Sequence, residues 1–249
     1  MIFAAGLGTR LKPLTDSMPK ALVPVQGKPL LQHLLEKLKT AGFHDVVINV
    51  HHFADMIEQW CQEHSLGMNI LFSDERQQLL ETGGGIKHAA HLLDDATDGF
   101  LIHNVDILSN ADLKALAEAG AMEVEQGARR AATLLVSERE TQRYLLFDDE
   151  MRLVGWTNTT TGEVRSPNPN LNPQQCHKLA FAGIHFMNPS LFAYFKDFPD
   201  RFSIIDFYLK VCDKEPIYGY IQPNLRLIDV GKLNTLSEAE AFLSHLGRE

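Results

Sequence analysis

Apolar residues recur along this chain in two rhythms. Leu30, Leu31, Leu34, Leu35 and Leu38 fall at helical spacing within residues 29–41, and Gly42 follows as a stop. Asp45–Val50 is a short, nearly continuous apolar run, the pattern of a buried strand. Phe53, Met56, Ile57, Trp60 and Cys61 make a second helical stripe, and Met68–Phe72 a further strand. With the apolar Ile2-Phe3-Ala4-Ala5 at the start, the order β-α-β-α-β predicts a parallel sheet with helices on both faces.

Residues 73–82 read as a polar loop running into Thr82-Gly83-Gly84-Gly85, after which Ile86, Ala89, Ala90 and Leu93 mark a helix. Phe100–His103 is the next strand, followed by a helix bearing Leu113 and Leu116 that Asn110 can cap. Residues 131–136 form another strand, and Tyr144–Phe147 pairs with Leu153–Trp156 around the Asp148-Asp149-Glu150 turn. Residues 157–175, rich in Pro and Asn, read as a mobile excursion. Lys178–Met187 is a long strand, 203–212 a helix, Pro216–Ile221 and Arg226–Ile228 the closing strands, and a last helix runs from about Leu233 to Leu246. The expected fold class is α/β: a Rossmann-like, doubly wound mixed (mostly parallel) sheet flanked by helices, with a small β-rich subdomain.

The 249 residues are 45% apolar, enough to bury the core of one α/β domain. The excess of 32 acidic over 23 basic side chains gives a charge of −9, which argues against a nucleic-acid surface. Cys61, Cys176 and Cys212 lack metal-ligand spacing and are odd in number, so a reduced, cytoplasmic setting is expected rather than a disulfide framework. Without an apolar stretch of about eighteen residues, no membrane span is expected. Met1 leaves almost nothing ahead of a strand that should lie centrally in the sheet, so the natural chain is expected to begin slightly upstream.

Against this acidic background, the positive charge near the start stands out. Gly6 and Gly8 follow the first strand, and backbone without a Cβ can turn tightly and aim N–H groups at an anion. Arg10 can fork onto phosphate oxygens and Lys20 adds a compact charge. The dinucleotide fingerprint is excluded because Leu11 stands where its third glycine belongs, and Gly27-Lys28-Pro29 and Gly231-Lys232-Leu233 are not P-loops. Asp106, at the carboxyl end of the 100–103 strand, reads either as a turn residue or as a metal ligand; Asp229 reads either as a helix cap or as a second ligand. Gly83 in its triplet is either a hinge or a frame for a base and ribose, and Gly183 either a bulge or a close approach to ligand. His51-His52 lacks a third ligand and reads as a polar loop.

Gly6, Gly8, Thr9, Arg10, Thr15, Pro19 and Lys20 together resemble the signature of the sugar-1-phosphate nucleotidylyltransferases, and Ile-Asp-Val-Gly at residues 228–231 is similar to that family's usual end. The resemblance implies transfer of a nucleoside monophosphate from a triphosphate to a sugar 1-phosphate, with Mg²⁺ on Asp106 and Asp229. It implies catalytic roles for Arg10, Lys20 and Asp106, and nucleotide contacts from Ala5, Gly6, Gly8, Thr9, Arg10, Lys20, Thr82 and Gly83. Sugar contacts would come from Asn104 and Gly183, with Asn49 or His51 as further candidates. A single domain over 1–249 would divide into a nucleotide half (about 1–110), a sugar-acceptor half (about 111–231) and a C-terminal helix (about 232–246). Leu80–Gly85 is most similar to N-acetylmuramic acid 1-phosphate uridylyltransferases, which points to UTP and that sugar or a related hexose 1-phosphate. Relatives often carry Gly where Glu81 stands, so guanylyl transfer to mannose or heptose 1-phosphate is the rival. A nucleotide-sugar-dependent glycosyltransferase would want Asp-x-Asp, which Asp106-Ile107-Leu108 lacks; a non-catalytic nucleotide-sugar sensor is the remaining alternative. Neither nucleic acid nor membrane is an expected partner, and the expected state is a monomer or small homo-oligomer.

Overall fold

The structure is a computed structural model that describes residues 1–64, 66–124, 127 and 129–246. The chain opens with β1 (Ile2–Phe3), β2 (Pro24–Val25), β3 (Lys28–Pro29), α1 (Leu30–Thr40), β4 (Asp45–Val50), α2 (Ala54–Glu63) and β5 (Asn69–Asp74). There follow α3 (Glu81–Ala89), β6 (Phe100–Asn104), β7 (Ile107–Ser109), α4 (Leu113–Gly120), β8 (Ala132–Ser137), β9 (Arg143–Phe147), β10 (Leu153–Asn158) and β11 (Val164–Arg165). The last elements are β12 (His177–Met187), α5 (Ile204–Val211), β13 (Ile217–Ile221), β14 (Leu227–Asp229) and α6 (Asn234–Leu246). The fold is α/β, a mixed sheet flanked by helices, as the alternation of strand and helix patterns predicts. Among the described residues no helix is long and apolar enough to cross a membrane.

Contacts divide the chain into two compact units. The first comprises Met1–Leu79, His103–Leu113 and Leu225–Glu249, and the second Leu80–Ile102 and Lys114–Asn224. In the first, β1 is paired in parallel on both sides, Ile2 with Ile48 of β4 and with His103 of β6, and β4 is paired in parallel with β5. The buried face of α1 is the leucine stripe itself. The helix ends where Gly42, at φ +92°, donates to Lys39 O and Phe43 donates to Leu38 O, a Schellman closure that a side chain at Gly42 would strain. The stripe on α2 is narrower than its spacing suggests: Ala54, Ile57 and Cys61 are buried, whereas Met56 is exposed and Trp60 stacks on His64. β5 runs on to Asp74, so the expected polar loop is shorter.

The second unit pairs β8 antiparallel with β12 and parallel with β13, and β12 continues onto the β9–β10 hairpin. Its core includes stacked phenylalanines, with Phe195 and Phe207 ring centroids 4.7 Å apart and those of Phe198 and Phe202 4.8 Å apart. Residues 157–175 are not a structureless excursion. β10 extends to Asn158, β11 pairs back onto it, and the Arg165 guanidinium lies 4.0 Å over the Trp156 ring. Gly183, at φ +74°, sits where the β8–β12 register shifts between Phe181 and His185, so it forms a bulge. Asn110 in the first unit does not cap α4, since its Oδ1 accepts from Arg226 N at 2.7 Å.

The glycine triplet lies inside α3 rather than ahead of it. The close approach it permits is by the chain itself: a Cβ on Gly83 would stand 2.3 Å from the Phe202 ring, and one on Gly84 would stand 2.1 Å from Asp200 O. Gly84→Ala should therefore lower unfolding free energy by about 1–3 kcal/mol, the usual cost of overpacking. Gly6→Ala, where nothing lies within 4 Å of the new methyl, should stay within about 0.5 kcal/mol of the parent. Urea denaturation of the two variants beside the parent measures the contrast.

Candidate active site

β1 ends at Phe3, and residues 4–8 carry the chain away from the sheet edge. Gly8 adopts φ +62°, ψ 23°, a left-handed conformation that a side chain would strain. A Cβ there would also meet Thr15 Cγ2 at 2.8 Å. Gly8 O accepts from Leu11 N at 2.8 Å and from Thr15 Oγ1 at 2.9 Å, which accounts for the Gly8–Thr15 spacing. The N–H groups of Gly6, Leu7 and Gly8 have no acceptor among the described residues, while those of Ala4 and Ala5 both donate to Asn49 Oδ1. Ala5, expected to touch nucleotide, has thus committed its N–H to the protein.

Thr9–Leu11 is a short 3-10 turn whose Leu11 is fully buried while Thr9 and Arg10 face solvent. Leu11 joins Val23, Val25, Leu30, Leu108, Val230 and Ala239 in one apolar cluster against which Leu236 and Phe242 of α6 pack. That cluster anchors every segment bearing a charged candidate. Lys20 opens a second 3-10 turn and is only 8% exposed, its Nζ paired with Asp106 Oδ2. Asp106 lies in the turn between β6 and β7, and β7 pairs antiparallel with β14, matching Asp229 to Ile107. Val230 N donates to Asp106 O at 2.9 Å, so the two acidic residues sit on adjoining stretches of one ribbon. A Cβ on Gly231 would be 2.8 Å from Asp229 Oδ1 and 3.0 Å from Arg10 Nη2, which sets both groups around a single point and leaves room only for glycine. Asp229 belongs to β14 and does not cap α6, whose approach is turned by Thr235 Oγ1 donating to Lys232 O at 2.7 Å.

The first unit thus brings together Gly6, Gly8, Thr9, Arg10, Lys20, Asp106 and Asp229, with Asn104 at the end of β6 beside Phe3. Thr82, Gly83 and Gly183 belong to the second unit. There Thr82 Oγ1 accepts from Ile204 N at 2.9 Å, and Gly83 N donates to Phe202 O at 2.9 Å, so a base contact from the Gly83 N–H is ruled out by its own chain. Asn49, expected to reach sugar, is 3% exposed with its amide bonded at both ends. A polar residue inside the apolar run Val46–Val50 was the signal for it. Two carboxylates and no third acidic or imidazole ligand among the described residues suit a hard divalent cation that completes its shell with water and phosphate oxygens, and do not suit zinc.

A cradle of unpaired N–H groups facing two cations, beside two carboxylates and with no nucleophilic side chain, is equipped to handle phosphoryl groups. The chain belongs to the nucleotidyl transferase family, whose model matches residues 1–245. It is an enzyme, a sugar-1-phosphate nucleotidylyltransferase. It is 33% identical over 252 residues to the N-acetylmuramate alpha-1-phosphate uridylyltransferase of Caulobacter vibrioides, covering 98% of this chain and 96% of that protein. The mannose-1-phosphate guanylyltransferase catalytic subunit beta of Xenopus tropicalis is 40% identical over 110 residues, 43% of this chain and 30% of that one. The crystal structure of HddC from Yersinia pseudotuberculosis complexed with GMP-PN shares the fold at a TM-score of 0.72 and 22% identity, covering 97% of each chain.

His103, fully buried in β6, was not singled out by sequence. Burial holds its imidazole down at about 3, with the Lys37 charge adding to the effect and a hydrogen bond to Asn104 O opposing it. Nδ1 donates to that carbonyl, and Nε2 has no partner among the described residues. The unfolded chain binds a proton near the usual value of about 6.5 while the folded one does not. Stability present above that value is therefore lost as pH falls from about 6.5 towards 3, by at most about 1.4 kcal/mol per pH unit. Urea midpoints at neutral and mildly acidic pH should show the decline, and His103→Gln should flatten it.

Proposed function

We propose that the enzyme transfers uridylyl from UTP to N-acetylmuramic acid 1-phosphate or a closely related hexose 1-phosphate. The observation that carries this reading is the end-to-end match to a uridylyltransferase of that sugar phosphate, with Leu80–Gly85 in support. Guanylyl transfer to a mannose or heptose 1-phosphate is the second reading, favoured by the shorter but more identical match to the Xenopus protein. The nucleotide half would run to about residue 110 and the acceptor half to about 231, and the triphosphate substrate assigns the enzyme to the cytoplasm.

In the reaction, an oxygen of the sugar 1-phosphate attacks the α-phosphorus in line; that P–O bond forms as the bond to the bridging α–β oxygen breaks, and pyrophosphate leaves. A phosphate monoester, with its second pKa near about 6, is already ionised at neutral pH. No side-chain base is required. What the protein supplies is positioning and compensation of charge. The Gly6, Leu7 and Gly8 N–H groups and the Arg10 fork hold the β- and γ-phosphates, and Thr9 lines the same turn. Lys20 follows the α-phosphoryl group. Its burial lets one charge act through little water, and pairing with Asp106 keeps it in place before substrate arrives. Asp106 and Asp229 would hold Mg²⁺, which when bound neutralises charge on the triphosphate and the departing pyrophosphate. Thr82 keeps its hydroxyl hydrogen as a donor for the base, and Asn104 and Gly183 serve the sugar.

Four nucleoside triphosphates crossed with several sugar 1-phosphates, read as pyrophosphate release with Mg²⁺ and then with chelator, test the reading; UTP with the muramic acid derivative should lead, and chelator should abolish release. Lys20→Ala should lower turnover by roughly 10²–10³-fold, and a loss of under about tenfold would remove Lys20 from its role.

A further inference from the structure

Ala4 and Ala5 leave β1 where its ladder ends, and buried N–H groups need acceptors. One oxygen serves both: Asn49 Oδ1 accepts from Ala4 N at 2.7 Å and from Ala5 N at 3.2 Å. The opposite end of the same amide donates from Nδ2 to Glu75 Oε1 at 2.7 Å. An amide flipped end for end would aim its NH₂ at two N–H donors and its oxygen at a carboxylate, so Glu75 fixes the way Asn49 faces. Glu75 is 2% exposed, a costly place for a carboxyl group with no structural task.

Glu75 is itself held by its backbone. Its N–H donates to Val50 O at 2.8 Å, and its carbonyl accepts from His51 Nδ1 at 2.6 Å. Beside it, Arg76 is forked among Asp74, Asp55 and Glu58 at 2.6, 2.7 and 2.8 Å. The exit of β5 is thereby locked to the end of β4, and the lock is passed through Asn49 to the root of the glycine loop.

We propose that Asn49 and Glu75 are positioning residues for the transfer reaction. Their relay withdraws the Ala4 and Ala5 N–H groups from substrate and sets the direction in which those of Gly6, Leu7 and Gly8 meet the phosphates of the leaving pyrophosphate. Neither residue touches substrate, and the inference rests on the phosphate-holding role given above to the loop.

The relay has a donor and an acceptor end, so it can be broken and then rebuilt with opposite polarity. Asn49→Asp sets two carboxylates face to face, whereas in Asn49→Asp/Glu75→Gln the introduced amide donates to the introduced carboxylate, which still accepts from Ala4 and Ala5. Asn49→Asp should weaken pyrophosphate inhibition and lower kcat/KM for the triphosphate by roughly 10²-fold, the cost of a misplaced reacting group. KM for the sugar 1-phosphate should stay within about twofold, and the double variant should return to within about threefold of the parent on both readouts. Thermal melts identify the folded variants; if Asn49→Asp does not fold, Glu75→Leu, which frees the amide to flip, is held to the same limits. An unaffected single variant, a double variant as impaired as the single, or a sugar KM that moves in step with pyrophosphate affinity overturns the relay. Parent enzyme that releases no pyrophosphate overturns the phosphate-holding role itself.

Discussion

Charge balance in a half-dry corner constrains the first unit more than any other interaction. Lys20 and Asp106 are paired with little exposure, while Arg10 and Asp229 meet at the rim in solvent. An ion pair withdrawn from water recovers its desolvation cost only when geometry is good, and removing one partner strands the other. The corner therefore needs rigid supports, which are apolar: Leu11 under Arg10, Val23 after Lys20, Leu108 after Asp106 and Val230 after Asp229, all in one cluster. Each charged residue has a buried aliphatic neighbour within a few positions, so its aim is set by packing rather than by its own flexible stem.

Local signals were legible wherever the cause is local. The leucines of α1 and the turn at Gly42 need nothing beyond the helix to explain them. The first loop was equally readable, because Gly8, Leu11 and Thr15 satisfy one another within a few residues. The glycines of α3 were misread because what they accommodate, Phe202 and Asp200, lies far along the chain. Asn49 and Glu75 escaped for the same reason: a hydrogen bond across strands carries no periodicity. The hairpin at 157–165 was masked by composition, since Pro and Asn suggest a loop whether or not two short strands pair within it.

Two uses of glycine emerge. Gly8 is required by its left-handed backbone, whereas Gly83 and Gly84 are required by the space that neighbours occupy. Only the first kind has a motif, since a conformation is local and an intruding ring is not. A glycine string is therefore informative about ligand only after the protein's own claims on it have been subtracted, and in α3 those claims account for two of the three.

The first unit is assembled from the beginning, the middle and the end of the chain, with β14 and α6 returning to a cluster founded by Leu11. During synthesis, Lys20 and Asp106 emerge long before their ribbon partner β14 does. Until then β7 has an open edge and the aliphatic cluster lacks Val230 and the face of α6. A ribosome that stalls in the second unit thus leaves a chain with its phosphate loop made and only one of its two acidic residues. Completion of the polypeptide and completion of the acidic pair coincide.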